Sequence, residues 1–68
     1  MITVYVDGHE VQVPPSMPVR HAVLRYDQKA YEMLQDGLCY LTDEAGREVD
    51  PEGALFNGMR LFVTEAAQ

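Results

Sequence analysis

The strongest constraint on this 68-residue chain is a strand pattern near its start that Asp7-Gly8 interrupts. In "ITVYVDGHEVQV", aliphatic residues alternate with polar or aromatic residues on both sides of that dipeptide. Alternation with a period of two is typical of a half-buried strand, and Asp-Gly supplies the positive φ angles of a type I′ turn. The sequence therefore predicts a β-hairpin over residues 2–13.

An amphipathic helix is predicted next, over residues 19–34. The prolines in "PPSMP" end the hairpin because they cannot donate to a sheet, while Ser16 is placed to cap a helix with Pro18 in its first turn. On a helical wheel one arc of about 120°, the width of a buried face, holds the apolar residues Val19, Ala22, Val23, Tyr26, Ala30, Met33 and Leu34. A break near Asp27, a good N-cap residue, is the alternative. Gly37 is placed to end the helix.

Three further strands are predicted after the helix. "LCYLT" is an apolar run that suits a strand, but its orientation stays open because Cys39 and Tyr40 have apolar neighbours on both sides. "DEAGREV" indicates a turn and then a brief strand at Glu48-Val49, and residues 50–53 form a loop. Asn57-Gly58 indicates a turn before an alternating strand that begins at Met59.

This order of elements predicts an α+β fold in one domain, residues 1–68. A hairpin, a helix with one apolar face and returning strands are satisfied by one mixed sheet that the helix covers on one side. We expect the first and last strands to lie side by side, which is the β-grasp arrangement. A chain this short buries only about 60% of the surface that its unfolded form exposes, so the core should be thin.

Three segments carry a resemblance to a known family: "ITVYVDGHEVQVP", "PVRHAVL" and "ALFNGMRLFV". With these segments the chain resembles the ubiquitin-like β-grasp superfamily and is most similar to sulfur carriers of the ThiS and MoaD type. In those carriers a terminal Gly-Gly tail is adenylated and converted to a thiocarboxylate. This sequence instead has Glu65-Ala66-Ala67-Gln68, so we expect no carrier chemistry of that kind; a carrier relative with a degenerate tail is the alternative.

Two other β-grasp groups bear on cofactors and partners. Plant-type ferredoxins hold a two-iron cluster with four thiolates, which a chain with the single cysteine Cys39 cannot supply. The TGS regulatory domains of larger proteins have the same strand order, and that likeness favours a binding role. We expect no cofactor.

The charge and composition exclude several partners. Eleven acidic and five basic residues give a net charge of −6, which repels nucleic acid and anionic membrane surfaces. No apolar run approaches the roughly 18 residues of a membrane span, and the start lacks a signal-peptide pattern, so we expect a cytoplasmic protein. A lone cysteine that forms no internal disulfide fits a reducing compartment.

The residue types that usually carry chemistry do not form a recognised motif here. Cys39 is predicted to be a small buried hydrophobe, and His9 and His21 to be solvated surface residues with no ligand partner at a metal-binding spacing. A calcium-loop order is absent from the acidic residues Glu44, Glu48, Asp50 and Glu52. We therefore expect no bound metal and no enzymatic activity.

The sheet face that the helix leaves open is the predicted binding site. If Val4 and Leu61 point at the helix, strand alternation directs Tyr5, Arg60 and Phe62 away from it. Tyr and Arg are enriched at interface hot spots, and aromatic residues from adjacent strands would form an apolar patch, which Tyr40 would join in one orientation of its strand. The alternative is ordinary cross-strand pairing. We expect a larger protein partner, and a monomer or weak homodimer.

Overall fold

The computed structural model describes residues 1–66 and shows an α+β fold with two helices and one five-stranded mixed sheet. The predicted order of strands is confirmed, and the helical region forms two helices. The prediction about the tail extends to residues 67 and 68, which lie outside the described residues. In chain order the elements are β1 (Ile2–Val6), β2 (His9–Val13), α1 (Val19–Tyr26), α2 (Gln28–Gln35), β3 (Cys39–Thr42), β4 (Glu48–Val49) and β5 (Met59–Glu65).

The sheet has the strand order β2-β1-β5-β3-β4. β1 is antiparallel to β2 and parallel to β5, so the predicted adjacency of the first and last strands is confirmed. β3 is antiparallel to both of its neighbours, β5 and β4. β5 is thus the central strand, and it joins the N-terminal hairpin to the β3–β4 pair.

The first hairpin turns at Asp7-Gly8, as predicted. Val6 lies opposite His9, and the two residues between them have φ angles of 51° and 82°, the sign that a type I′ turn requires. Asp7 also contacts the central strand. Its N–H donates to the carbonyl of Leu61 at 2.9 Å, and its Oδ1 accepts from the N–H of Val63 at 3.1 Å. The turn therefore helps to align β1 with β5.

The start of β5 is fixed by the predicted Asn57-Gly58 turn. The Asn57 side-chain oxygen accepts from the N–H of Thr3 at 3.0 Å, and the Gly58 N–H donates to the carbonyl of Thr3 at 2.7 Å. Gly58 has a φ of 85°, which favours glycine. Together these bonds set the parallel register in which Tyr5 lies opposite Arg60.

The hydrophobic core lies between the helices and one face of the sheet. Strand alternation places aliphatic side chains on that face, as predicted, although Val63 near the end of β5 is only partly buried. The helices supply small apolar residues from the other side. The core residues with no exposed surface are Val4, Val6, Val13, Val19, Ala22, Val23, Leu41 and Leu61.

The helical region is broken at Asp27, so the single-helix prediction is wrong and the alternative is confirmed. Asp27 has an extended backbone, with φ of −162° and ψ of 119°, and its side chain accepts from the N–H of Lys29 at 3.3 Å as the N-cap of α2. An extended residue resets the helical phase. The predicted apolar arc is only half-buried at Met33 and Leu34, after the break, and also at Tyr26, just before it.

The start of α1 differs from the prediction. Pro18, and not the predicted Ser16, occupies the N-cap position, and among residues 1–66 no side chain caps α1. The first N–H groups of the helix instead donate to the loop after β4, from Val19 to the carbonyl of Gly53 at 3.0 Å and from Arg20 to that of Pro51 at 2.9 Å. A distant loop thus supplies the acceptors that the first turn of any helix lacks.

The end of α2 follows the prediction for Gly37. Gly37 has a φ of 76° and its N–H donates to the carbonyl of Leu34 at 3.2 Å. The N–H of Leu38 donates to the carbonyl of Met33 at 2.9 Å. These two bonds form a Schellman motif, which ends the helix and directs the chain into β3.

Candidate functional site

The candidate site is the sheet face that points away from the helices, here called the open face. Its side chains follow from the strand registers, because residues directly opposite each other on neighbouring strands share a face. Aromatic residues and one arginine occupy the middle strands, with threonine and acidic residues around them. The open face consists of Thr3, Tyr5, Glu10, Gln12, Tyr40, Thr42, Glu48, Arg60, Phe62 and Thr64.

Tyr5 and Arg60 meet at the centre of this face. They are direct partners in the β1–β5 register, and the guanidinium carbon of Arg60 lies 4.7 Å from the centroid of the Tyr5 ring. This is a cation–π contact, which favours this position of the guanidinium above the sheet. Tyr5 is half-buried and Arg60 is exposed. The predicted placement of both residues on the open face agrees with the registers.

Phe62 lies on the same face but does not stack on Tyr5. It is opposite Thr42 of β3, and 37% of its surface is exposed. Within residues 1–66 the aromatic ring pair is His9 with Tyr26, at 5.5 Å. Arg60 is the register partner of Tyr5 and lies over its ring, and Phe62 is two residues further along β5 on the same face.

The orientation of β3, which the sequence left open, places Tyr40 with the other aromatic residues. Tyr40 is opposite Thr64 and is 36% exposed. Cys39 therefore faces the core, 4% exposed, as predicted for a small buried hydrophobe. Burial, with a smaller contribution from the Glu65 carboxylate, raises the pKa of the Cys39 thiol. This thiol is not placed or charged to act as a nucleophile.

The β2 side of the open face is polar and ordered. The side-chain amide of Gln12 donates to Thr3 Oγ1 at 2.9 Å and to Glu10 Oε2 at 3.0 Å. Glu10 is also the register partner of Tyr5, so a carboxylate borders the aromatic ring. Glu48 of β4 places a second carboxylate at the opposite margin. The face has an apolar and cationic centre with polar margins.

A groove of about 250 Å³ opens beside Arg60, at the end of the sheet where β5 begins, and takes in residues of both sheet faces. It exists because β3 ends at Thr42, opposite Phe62, so that the first residues of β5 have no β3 neighbour. We call it the Arg60 groove. It lies between the β3–β4 turn and the start of β5, and its lining includes Asp43, Glu44, Arg47, Val49, Phe56, Met59 and Arg60.

Phe56 lines this groove and was not among the candidate residues that the sequence indicated. Its side chain is 60% exposed, compared with 37% for Phe62 and 36% for Tyr40. It lies in the segment between β4 and β5, where no strand alternation assigns a direction to a side chain. The sequence did contain a signal for this residue, because a large aromatic side chain is unusual in a turn segment such as "ALFNG".

The turn that forms the other wall of the groove is braced by Asp43. Its Oδ1 accepts from the N–H groups of Ala45 at 2.9 Å and Arg47 at 3.0 Å. Its N–H donates to the carbonyl of Arg47 at 2.9 Å, and its Oδ2 lies 3.6 Å from Arg47 Nε. The predicted turn is therefore built around one aspartate, which also forms an ion pair with Arg47.

A second groove, of about 260 Å³, lies on the helical side and is lined by Arg20, Leu34, Gln35, Pro51 and Glu52. Arg20 and Glu52 form an ion pair across it. The hydrogen bond that the Arg20 guanidinium donates to the Glu52 carboxylate, followed by the charge of that carboxylate, raises the pKa of Arg20. Both charges of this groove are thus already matched within the chain.

The histidine and acidic residues do not assemble into a site. His9 is exposed, as predicted, whereas His21 is half-buried. Among residues 1–66 there is no group of three His, Cys, Asp or Glu side chains arranged to hold a metal ion. The acidic residues Glu44, Glu48, Asp50 and Glu52 are all exposed.

Comparison with known proteins does not assign the chain to a family. No protein-family description matches the sequence, and no curated protein matches it either. In the described part of the chain neither helix has the length and apolarity needed to cross a membrane.

Proposed function

We propose that this chain is a β-grasp domain that acts as a non-catalytic protein-interaction module or accessory subunit. Its open face would bind a larger partner protein through Tyr5, Arg60 and Phe62. The observation that carries this proposal is the Tyr5–Arg60 stack next to an exposed Phe62, on a sheet face that neither helix covers. The strand order and the parallel β1–β5 pair support the β-grasp assignment.

The composition of the open face suits recognition of a protein. Interface centres are enriched in tyrosine and arginine and depleted in lysine, aspartate and glutamate, while their rims are polar. Here Tyr5 and Arg60 lie at the centre, and the carboxylates of Glu10 and Glu48 lie at the margins. The ring of Tyr5 already holds the guanidinium, so binding would sacrifice less side-chain entropy than it would with a freely moving arginine.

The proposal is tested by photo-crosslinking from the open face in cells. Phe62 is replaced by the photoreactive amino acid benzoylphenylalanine, and the matched control places it at Leu24, on α1. The two side chains are almost equally exposed, at 37% and 38%, so non-specific encounters should label both equally. We expect a discrete crosslinked protein from position 62 only.

The same crosslink should depend on the neighbouring residues. Combining the photoreactive residue at position 62 with Tyr5→Ala and Arg60→Ala should reduce the crosslinked band severalfold, and excess unmodified protein should compete it away. Identical bands from positions 62 and 24, or no band from either position, would refute an interaction through the open face.

A degenerate sulfur carrier is the second candidate, and the same strand order supports it. Intact-mass measurement after incubation with an activating enzyme, ATP and a sulfur donor tests it directly. Carrier chemistry would add the mass difference between sulfur and one terminal oxygen. An unchanged mass, in a reaction where a known carrier is converted, would reject this candidate.

A further inference from the structure

We infer that the Arg60 groove binds one large apolar side chain of an extended partner segment, with a neighbouring carboxylate that pairs with Arg60. This inference rests on the proposed function and names the chemistry of the partner. It follows from the size of the groove, from its charges and from the end of β3.

The size of the groove favours a single side chain over a whole small molecule. Its volume of about 250 Å³ is below the roughly 300–1,000 Å³ of pockets that enclose small ligands. Val49, Phe56 and the buried Met59 contribute apolar surface to its lining. Phe56 leaves 60% of its surface uncovered, so an aromatic or long aliphatic side chain would remove it from water.

The charges of the groove favour an incoming carboxylate. Two ion pairs occur within residues 1–66, Arg20 with Glu52 and Arg47 with Asp43, and Arg60 takes part in neither. Its guanidinium is held over Tyr5 and presents donors that suit bidentate contact with a carboxylate. Glu44 also lines the groove and is the anion that would compete with the ligand.

The second groove shows why the cation matters. It has nearly the same volume, about 260 Å³, and also contains an arginine, but Arg20 is already paired with Glu52. A carboxylate entering there would have to displace Glu52. Of the two grooves, only the one at Arg60 combines an unfilled apolar wall with a cation that has no acidic partner within residues 1–66.

The local backbone and the net charge define the occupant further. β3 stops opposite Phe62, so an extended segment has room beside the start of β5. A second copy of this chain fits poorly, because each carries a net charge of −6 and two copies repel each other. A segment with a single carboxylate next to its apolar anchor meets Arg60 while adding little negative charge.

Two matched probes test this chemistry: N-acetyltryptophan, which has a carboxylate, and its neutral amide. Both are titrated into the ¹⁵N-labelled protein while amide shifts are followed by NMR. We expect both probes to shift the amides of Val49, Phe56 and Met59, and the acid to bind about three- to fivefold more tightly at low salt. Half-molar sodium chloride should remove most of that preference.

Four variants separate the charge from the shape of the groove. Arg60→Gln should make acid and amide bind equally, and Glu44→Gln should strengthen binding of the acid alone. Phe56→Ala should weaken both probes. Arg20→Gln, the matched arginine of the second groove, should change neither.

The inference is overturned if the probes shift no groove amides, or if the wild-type protein binds acid and amide equally. It is also overturned if the preference for the acid survives Arg60→Gln. The salt titration of the wild-type protein keeps the test valid should a variant fold poorly. Failure of the proposed function shows separately, as loss of crosslinking from position 62 while the preference for the acid persists.

Discussion

The two faces of the sheet use the same strands for different purposes. On β5, Leu61 is fully buried beneath the helices, while Phe62, the next residue, is 37% exposed on the open face. The covered face is aliphatic, and the open face combines Tyr5 and Arg60 with threonines and carboxylates. Since successive strand residues alternate, residues for stability and residues for binding should alternate along β5.

The largest expected difference between the faces is in the free energy of unfolding. Leu61→Ala should lower it by about 2–5 kcal/mol, because it removes a fully buried side chain and leaves a cavity. A domain this small is stabilised by roughly 3–5 kcal/mol, so that variant should be largely unfolded. Phe62→Ala should lower it by less than about 1 kcal/mol. Urea titration followed by circular dichroism measures both, and equal losses would contradict the comparison.

Thiol reactivity compares the faces at adjacent residues of β3. Cys39 faces the core and should react with iodoacetamide only when the chain opens, whereas Tyr40→Cys in a Cys39→Ala background places a thiol on the open face. We expect the open-face thiol to react on the order of 100-fold faster, as measured by intact mass over time. Comparable rates in the folded proteins would show that the core does not protect Cys39.

The raised pKa of Cys39 also gives a pH dependence. The unfolded chain releases the thiol proton near its ordinary pKa of about 8.5, while the folded chain retains it to higher pH. The folded form therefore binds more protons above that value, and the free energy of unfolding should fall as the pH rises beyond it. Cys39→Ala should remove this decline, while a decline that persists would assign it to another group.

A smaller loss in the free energy of unfolding is expected from a substitution that destabilises α2 and leaves the sheet unchanged. Asp27→Ala removes the N-cap of α2 and should lower the free energy of unfolding by about 1 kcal/mol. Asp27→Asn, which keeps an acceptor, should lose much less. NMR shifts of Tyr5 and Phe62 should stay unchanged in both variants, and movement of those shifts would mean that the open face depends on the helices.

The smallest effect concerns the contact at the centre of the open face. A double-mutant cycle of Tyr5→Leu and Arg60→Met should give a coupling of about 0.5–1 kcal/mol, the value for an exposed cation–π pair. Tyr5→Leu with Arg47→Met, on the β3–β4 turn, should be additive. Additivity in the first cycle would mean that the ring does not hold the guanidinium.

Local signals in the sequence predicted the local structure well. Asp7-Gly8, Gly37 and Asn57-Gly58 adopt the conformations that their residue types favour, and strand alternation separates the two faces correctly. These features depend on neighbouring residues, so a single sequence contains the information. The break at Asp27 was available from its capping preference, but the apolar arc across it favoured one helix.

What the sequence could not supply depends on segments that are distant along the chain. The first N–H groups of α1 find their acceptors in residues 51 and 53, so the local candidate Ser16 was misleading. The stacking of Arg60 on Tyr5 depends on the β1–β5 register. The groove beside Phe56 exists only because β3 stops at Thr42. Each of these requires knowing which distant segments meet in the fold.

The central position of β5 has a consequence for biosynthesis. The hairpin and both helices leave the ribosome before residues 59–65, yet β5 is the strand that joins the two halves of the sheet. Until β5 emerges, β1 has an unpaired edge and the aliphatic side chains above it lack their partner Leu61. Such long-range pairing slows folding. The nascent chain should therefore expose apolar surface, and be a candidate for chaperone binding, until β5 has emerged.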